Sequence, residues 1–197
     1  MYSLPTTVES NNHQFKITNN GDYRMVVDCF IALNDAELDD DKLRVITALL
    51  IFYEDFKTPE QVIDYLDENG FDVVNQMYRF FNCNMDSIGA NTRHRVIDWE
   101  KDGQMICSAV NKVANKEIRF EPYMHWWTFM GYFNAVGESV LSTVVSIRDK
   151  ISRHKKLESY EKDFKKDNPQ YFNIDFRSAE ERRAEEEFMK NWHTNKK

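Results

Sequence analysis

Between Tyr123 and Ile151 the chain carries Trp126, Trp127, Phe129, Met130, Tyr132, Phe133, Val136, Val140, Leu141, Val144 and Val145. At helical spacing these side chains leave almost no polar face. A helix that is apolar nearly all round has to be enclosed by other elements. The segment is therefore expected as one long or kinked helix at the centre of the fold, opened by Glu121-Pro122. Gly131 and Gly137 permit a bend or the close approach of a neighbour.

The enclosing elements are expected to be helices as well. The 197 residues include 6 Gly and 4 Pro, too few for the many turns of an all-β sandwich. The one β signal comes early: Thr6–Glu9 and Gln14–Thr18 flank a polar Ser10–His13 turn and read as a short hairpin that must pack on helices. Asp22 then offers an N-cap for a stripe of Tyr23, Val26, Val27, Phe30 and Ile31. Asp39-Asp40-Asp41 suits a helix N-terminus better than a metal loop. Thr58-Pro59-Glu60-Gln61 is a capping signal, and Gly70 closes the helix that follows. The spacing predicts further helices over about 71–81 and 98–115, separated by a polar loop over 82–95. The fold class is mainly α: a compact helical domain with a short N-terminal hairpin. Residues 1–168 form that domain, and 169–197 are a charged extension with a peripheral helix opened by Ser178-Ala179-Glu180-Glu181.

Charge narrows the function. Lys and Arg number 26 against 33 Asp and Glu, a net −7 that disfavours a globally cationic nucleic-acid or membrane binder. The distribution is polarised: residues 1–100 carry net −10 and residues 101–197 net +3. Within 148–166, Arg148, Lys155, Lys156 and five other basic residues face four acids, a local +4. No apolar run reaches the ~18 residues of a membrane span. The N-terminus lacks the pattern of a secretory signal, and three scattered cysteines fit buried thiols in a reducing compartment. A soluble intracellular protein is expected.

Catalytic patterns do not emerge. Gly137-Glu138-Ser139-Val140-Leu141 lacks the second glycine of a nucleophile elbow, and there is neither a phosphate loop nor a C-x-x-C pair. Glu121 and His125 stand four apart without the further ligands of a helical di-metal site. The expectation is a protein that is not an enzyme and uses no cofactor.

Several blocks together carry a resemblance. They are Met1-Tyr2-Ser3-Leu4-Pro5-Thr6-Thr7-Val8, His125-Trp126-Trp127-Thr128-Phe129, the run from Gly137-Glu138 through Leu141 to Lys150, and Lys155-Lys156-Leu157-Glu158 leading into Tyr160–Phe164. In this order they resemble the bacteriophage gene-product-fifteen family of siphophages and prophages, over about residues 1–170. The resemblance implies a place in the tail assembly module, immediately before the tape measure protein. It implies a tail assembly chaperone acting in the bacterial host cytoplasm and binding the tape measure before tail tube subunits polymerise. A neighbouring chaperone, the tube protein or a second copy are further partners. A tape measure is long, helical and apolar-striped, so aromatic residues suit its recognition. Trp126, Trp127, Phe129 and Phe133, with Arg148, Lys155 and Lys156, are the candidate partner-binding residues. The alternatives are a nucleic-acid-binding regulator using the basic 148–166 segment, or a structural tail component retained in the virion.

Overall fold

In the computed structural model, which describes residues 3–35, 37–38, 40–85 and 96–173, Asn11 and Asn12 both take left-handed backbone angles (φ 49° and 61°). Two such residues make the tight turn whose twist matches an antiparallel pair. They join β1 (Thr7–Ser10) to β2 (His13–Lys16), with Ser10 paired to His13 and Thr7 to Lys16. Phe15 and Ile17 are buried beneath the ribbon, and Ile17 bridges Tyr53. Helix packing under one face supplies what an isolated hairpin lacks.

A second left-handed run follows at Asn19, Asn20 and Gly21. Only Gly21 is sterically compelled: its φ is 79°, and a Cβ there would lie 2.8 Å from Phe80 Cζ and 3.0 Å from His125 Nε2. The chain then enters α1 (Tyr23–Leu33), with Asp22 accepting from Arg24 N. Next comes α2 (Asp41–Phe52), capped by Asp40, whose side chain accepts from Lys42 N. The acidic triplet thus opens a helix, while Asp41 pairs with Arg44 at 2.8 Å. Asp39 lies outside the described residues.

Thr58 caps α3 (Pro59–Asn69) through Gln61 N, and Gly70 ends it with φ 73°. The capping box is displaced by one residue, since the Gln61 side chain accepts from Lys57 N and not from the cap residue. Helix α4 (Asp72–Phe81) buries Val73, Val74, Met77, Phe80 and Phe81. Of the expected 82–95 loop, Asn82–Met85 form a turn and the remainder falls outside the described residues, as does the capping box at Ser178. Helix α5 (Gly103–Ala114) begins five residues later than expected, because Asp98 closes a turn first: its carboxylate accepts from the backbone of Glu100 and Lys101.

The apolar block does not form one helix. It divides into α6 (Trp126–Asn134) and α7 (Val140–Ser152). Ser139 stops a continuous helix: its hydroxyl accepts from Ser142 N, and the Ser142 hydroxyl accepts from Ser139 N. This reciprocal box satisfies donors that a through-running helix would not expose. A short α8 (Ser159–Asp167) and a 3₁₀ turn at Pro169–Tyr171 complete the described elements.

The chain divides into two units, residues 1–89 with 106–136, and residues 90–105 with 137 onward. The first is organised on aromatic rings. Phe52, Tyr53, Phe80, Phe81, Trp126 and Phe129 are all buried. Phe52 meets Tyr53, Phe80 and Phe81 edge-on at 4.6–5.4 Å, and Phe129 stacks on Tyr23 at 4.7 Å. Helices α1 and α2 form its main packed pair. The second unit buries Leu141, Val144 and Ile147 from one face of α7.

Candidate functional site

Seven residues were expected to meet a partner, and their surroundings differ sharply. Trp126 is 1% exposed, stacks on Phe129 at 5.5 Å, and donates its indole N–H to Phe81 O at 2.9 Å. Trp127 is half-buried and donates to the adjacent carbonyl, Phe80 O, at 3.0 Å. Two consecutive tryptophans therefore reach two consecutive carbonyls at the end of α4: Phe81 O takes the Trp126 indole N–H, and Phe80 O takes that of Trp127 in addition to the backbone N–H of Cys83. Phe129 is buried and Phe133 half-buried. The aromatic block thus first serves the interior of its own unit.

His125 sets the start of α6. Its Nδ1 accepts from Trp127 N at 3.0 Å, so the ring proton sits on Nε2 and is donated to Pro5 O at 3.0 Å. Asp22 reinforces the same corner: one carboxylate oxygen accepts from Met124 N and the other caps α1, while Tyr23 N donates to Met124 O. Both His125 nitrogens are occupied by backbone, which leaves neither for a metal shared with Glu121. Among the described residues no group of three or more His, Cys, Asp or Glu is placed to hold a metal ion.

Burial holds the His125 pKa below its ordinary value of 6.5, against the raising effects of Pro5 O and Asp22. As pH falls below 6.5 the unfolded chain takes up this proton before the folded chain does. The associated stability is present above that value and is lost on acidification. The melting temperature should therefore fall between pH 7.5 and 5. His125→Asn retains a capping side chain without titrating, and should flatten that part of the profile. An unchanged slope in the variant would assign the acid sensitivity elsewhere.

The basic segment also separates into parts. Arg148 is 1% exposed, and Asp102 grips its guanidinium with both carboxylate oxygens. The remaining donors reach Val96 O at 3.0 Å and Tyr171 O at 2.9 and 2.6 Å. Lys150 closes on the buried Glu161 at 2.7 Å, and Arg153 pairs with Asp149 at 2.8 Å. Lys155 and Lys156 are exposed, together with Lys162, Lys165 and Lys166, and these five make no ion pair among the described residues. Of the seven candidates, only the two lysines stand fully at the surface.

Large apolar side chains that sequence reasoning did not select are exposed instead. Phe120 is 88% exposed, Phe71 67%, Met85 63%, and Tyr78 and Tyr123 lie near two-fifths. Phe71, the N-cap residue of α4, and Tyr78 stand seven residues apart, about two turns on one side of the helix. The apolar stripe over 71–81 runs through Val74, Met77, Tyr78 and Phe81, which would place Tyr78 in the core. The signal that sets Phe71 and Tyr78 apart is their offset from Val73, Val74, Met77 and Phe81, which already complete the buried face.

A family model described as bacteriophage Gp15 protein matches residues 1–172. The chain belongs to the bacteriophage Gp15 protein family. The match ends one residue beyond Tyr171, whose carbonyl seals Arg148, so the Gp15 region takes in the turn after Asn168. No curated protein and no solved structure matches the chain. No helix among the described residues of this Gp15-family protein is long and apolar enough to cross a membrane.

Proposed function

We propose that this phage protein is a non-enzymatic tail assembly chaperone that binds the tape measure protein in the host cytoplasm. Membership of the Gp15 family over residues 1–172 carries the reading, through the position beside the tape measure that the resemblance implies. The surface is compatible with it. Phe71, Tyr78, Met85 and Phe120 offer separate apolar contacts of the kind an amphipathic helical client needs. Free energy for holding such a client would come from buried apolar area, at ~25 cal/mol per Å² before ordering losses.

Co-expression should move tape measure fragments into the soluble fraction. The two chains should elute together in EDTA, without ATP and after nuclease treatment. Fragments that stay insoluble beside this protein but dissolve with the upstream neighbour alone would refute the assignment. A complex that falls apart on nuclease treatment would favour the nucleic-acid reading, whose support is the exposed set of Lys155, Lys156, Lys162, Lys165 and Lys166. Presence of the protein in purified virions would mark a structural tail component.

A further inference from the structure

Only one edge of the two-stranded ribbon is closed. On β2, Lys16 N donates to the Asp55 carboxylate at 2.8 Å, and Lys16 O accepts from Glu54 N at 2.9 Å. Lys16 thus turns its backbone away from β1, and its partner Thr7 turns outward on the opposite side. Thr6 faces inward, since its carbonyl accepts from Ile17 N at 2.9 Å. This alternation sets the N–H and C=O groups of Thr7 and Glu9 along the open edge of β1, without hydrogen-bond partners among the described residues. Such an edge is a template for a further strand.

A recess of about 620 Å³ runs along the same edge. Thr7, Val8 and Glu9 line one side, and Gln76, Arg79 and Asn84, from α4 and the turn after it, line the other. Helix α4 runs opposite to β1. Ser10 donates to Asp72 at the start of the helix, while Pro5 O accepts from His125, whose ring lies 5.5 Å from Phe80 near its end. Arg79 and Glu9 are both exposed, and neither side chain has an ion-pair or hydrogen-bond partner among the described residues.

We propose that this edge receives an extended segment of another polypeptide, added to β1 as an antiparallel third strand beside α4. Its backbone pairs with Thr7 and Glu9, and its alternate side chains meet α4. The charges of the recess define its chemistry: a basic residue opposite Glu9, followed three positions later by an acidic residue over Arg79. The residue between them that lies opposite Val8 faces the helix and is small or β-branched. A helix cannot occupy the edge, because its own backbone groups are already paired. A second copy offering its β1 does not fit either. Helix α4 is packed and hydrogen-bonded against β1, so two copies of that helix would compete for the space beside the new strand. The inference stands independently of the tail-assembly reading, whose client is helical.

The probe is the blocked peptide N-acetyl-Ser-Lys-Val-Thr-Glu-Ser amide, titrated into the full chain and read by amide chemical shifts and hydrogen exchange. Its lysine falls opposite Glu9, its valine opposite Val8, and its glutamate reaches Arg79. Saturable shifts should centre on Thr6–Glu9 and Gln76–Arg79. The Thr7 and Glu9 amides, open to exchange in the free protein, should become protected. N-methylation of the peptide at lysine and threonine removes the N–H groups that pair with the edge, and should abolish binding. N-methylation at valine and glutamate, whose N–H groups point away, should be tolerated. Arg79→Gln changes an exposed position and keeps the fold. It should weaken the glutamate peptide about fivefold and leave a glutamine analogue unchanged. Equal binding of the two methylated peptides, unprotected Thr7 and Glu9 amides, or no saturation at millimolar peptide would overturn the proposal. So would self-association in sedimentation with those amides protected before peptide is added, which would place a second copy on the edge.

Discussion

Arg148→Ala should cost about 3–5 kcal/mol of stability, because it leaves the Asp102 carboxylate buried without its counter-charge. The guanidinium is the junction of the second unit. It joins α7 to the Asp98–Asp102 turn through Asp102, to Val96 O, and to Tyr171 O beyond α8. Asp102 is itself held, accepting from Asp98 N at 2.9 Å. All five guanidinium N–H groups are therefore engaged, which a lysine at this position could not reproduce. Urea denaturation of the full chain measures the loss. Replacing both partners with apolar residues, Arg148→Met with Asp102→Leu, should recover only part of it. Removing the charge pair together is close to neutral, but the carbonyls of the half-buried Val96 and Tyr171 would still lose their guanidinium donors. A single Arg148→Ala variant within 1 kcal/mol of wild type would show that this junction does not hold the unit together. The Tyr171 carbonyl, with Phe172 edge-on to Phe164 at 6.3 Å, implies that a truncation at Asn168, where the composition changes, would remove contacts of this unit.

Local chemistry was legible where one residue does one job. Asp22 and Thr58 read as caps and are caps, the acidic triplet at 39–41 reads as a helix start and Asp40 caps that helix, Gly70 reads as a helix end, and the polar residues before Phe15 read as a hairpin turn. The break in the apolar block was harder to see. Its signal is Ser139 with Ser142, a box in which a serine replaces the more familiar Glu or Gln, set just after Gly137-Glu138 between two apolar stretches. Arg148 was misleading for a different reason. It begins a run of basic residues, yet its partner lies 46 positions earlier, beyond any local pattern. Counting it with Lys155 and Lys156 joined a buried structural cation to two exposed ones. Periodicity finds faces of single elements, and it does not find side chains that tertiary packing brings together.

Trp126→Ala should destabilise the protein by about 3–5 kcal/mol, and Trp127→Ala by clearly less, although the two residues are adjacent and chemically alike. The difference follows from the 100° step between neighbouring helical positions. Trp126 points inward, where it stacks on Phe129 and leans on Phe30 at 5.7 Å, so its removal opens a cavity among rings that cannot readily collapse. Trp127 is half-buried, with Phe80 and His125 each 5.9 Å away, and water can replace part of what it covers. Trp126→Ala also takes the indole donor from Phe81 O at the end of α4, whereas after Trp127→Ala the Phe80 carbonyl keeps the backbone N–H of Cys83. Trp→Phe at each position isolates that component, because the ring remains while the N–H is lost. Trp126→Phe should then cost more than Trp127→Phe, since Phe81 O loses its indole donor while Phe80 O keeps the N–H of Cys83. Circular dichroism during urea denaturation reads all four variants. Tape measure pull-down with the folded Trp127 variants then tests whether the half-exposed ring also meets a client. A Trp127→Ala protein that folds normally and holds the client as well as wild type would confine both tryptophans to the architecture of α4 and α6.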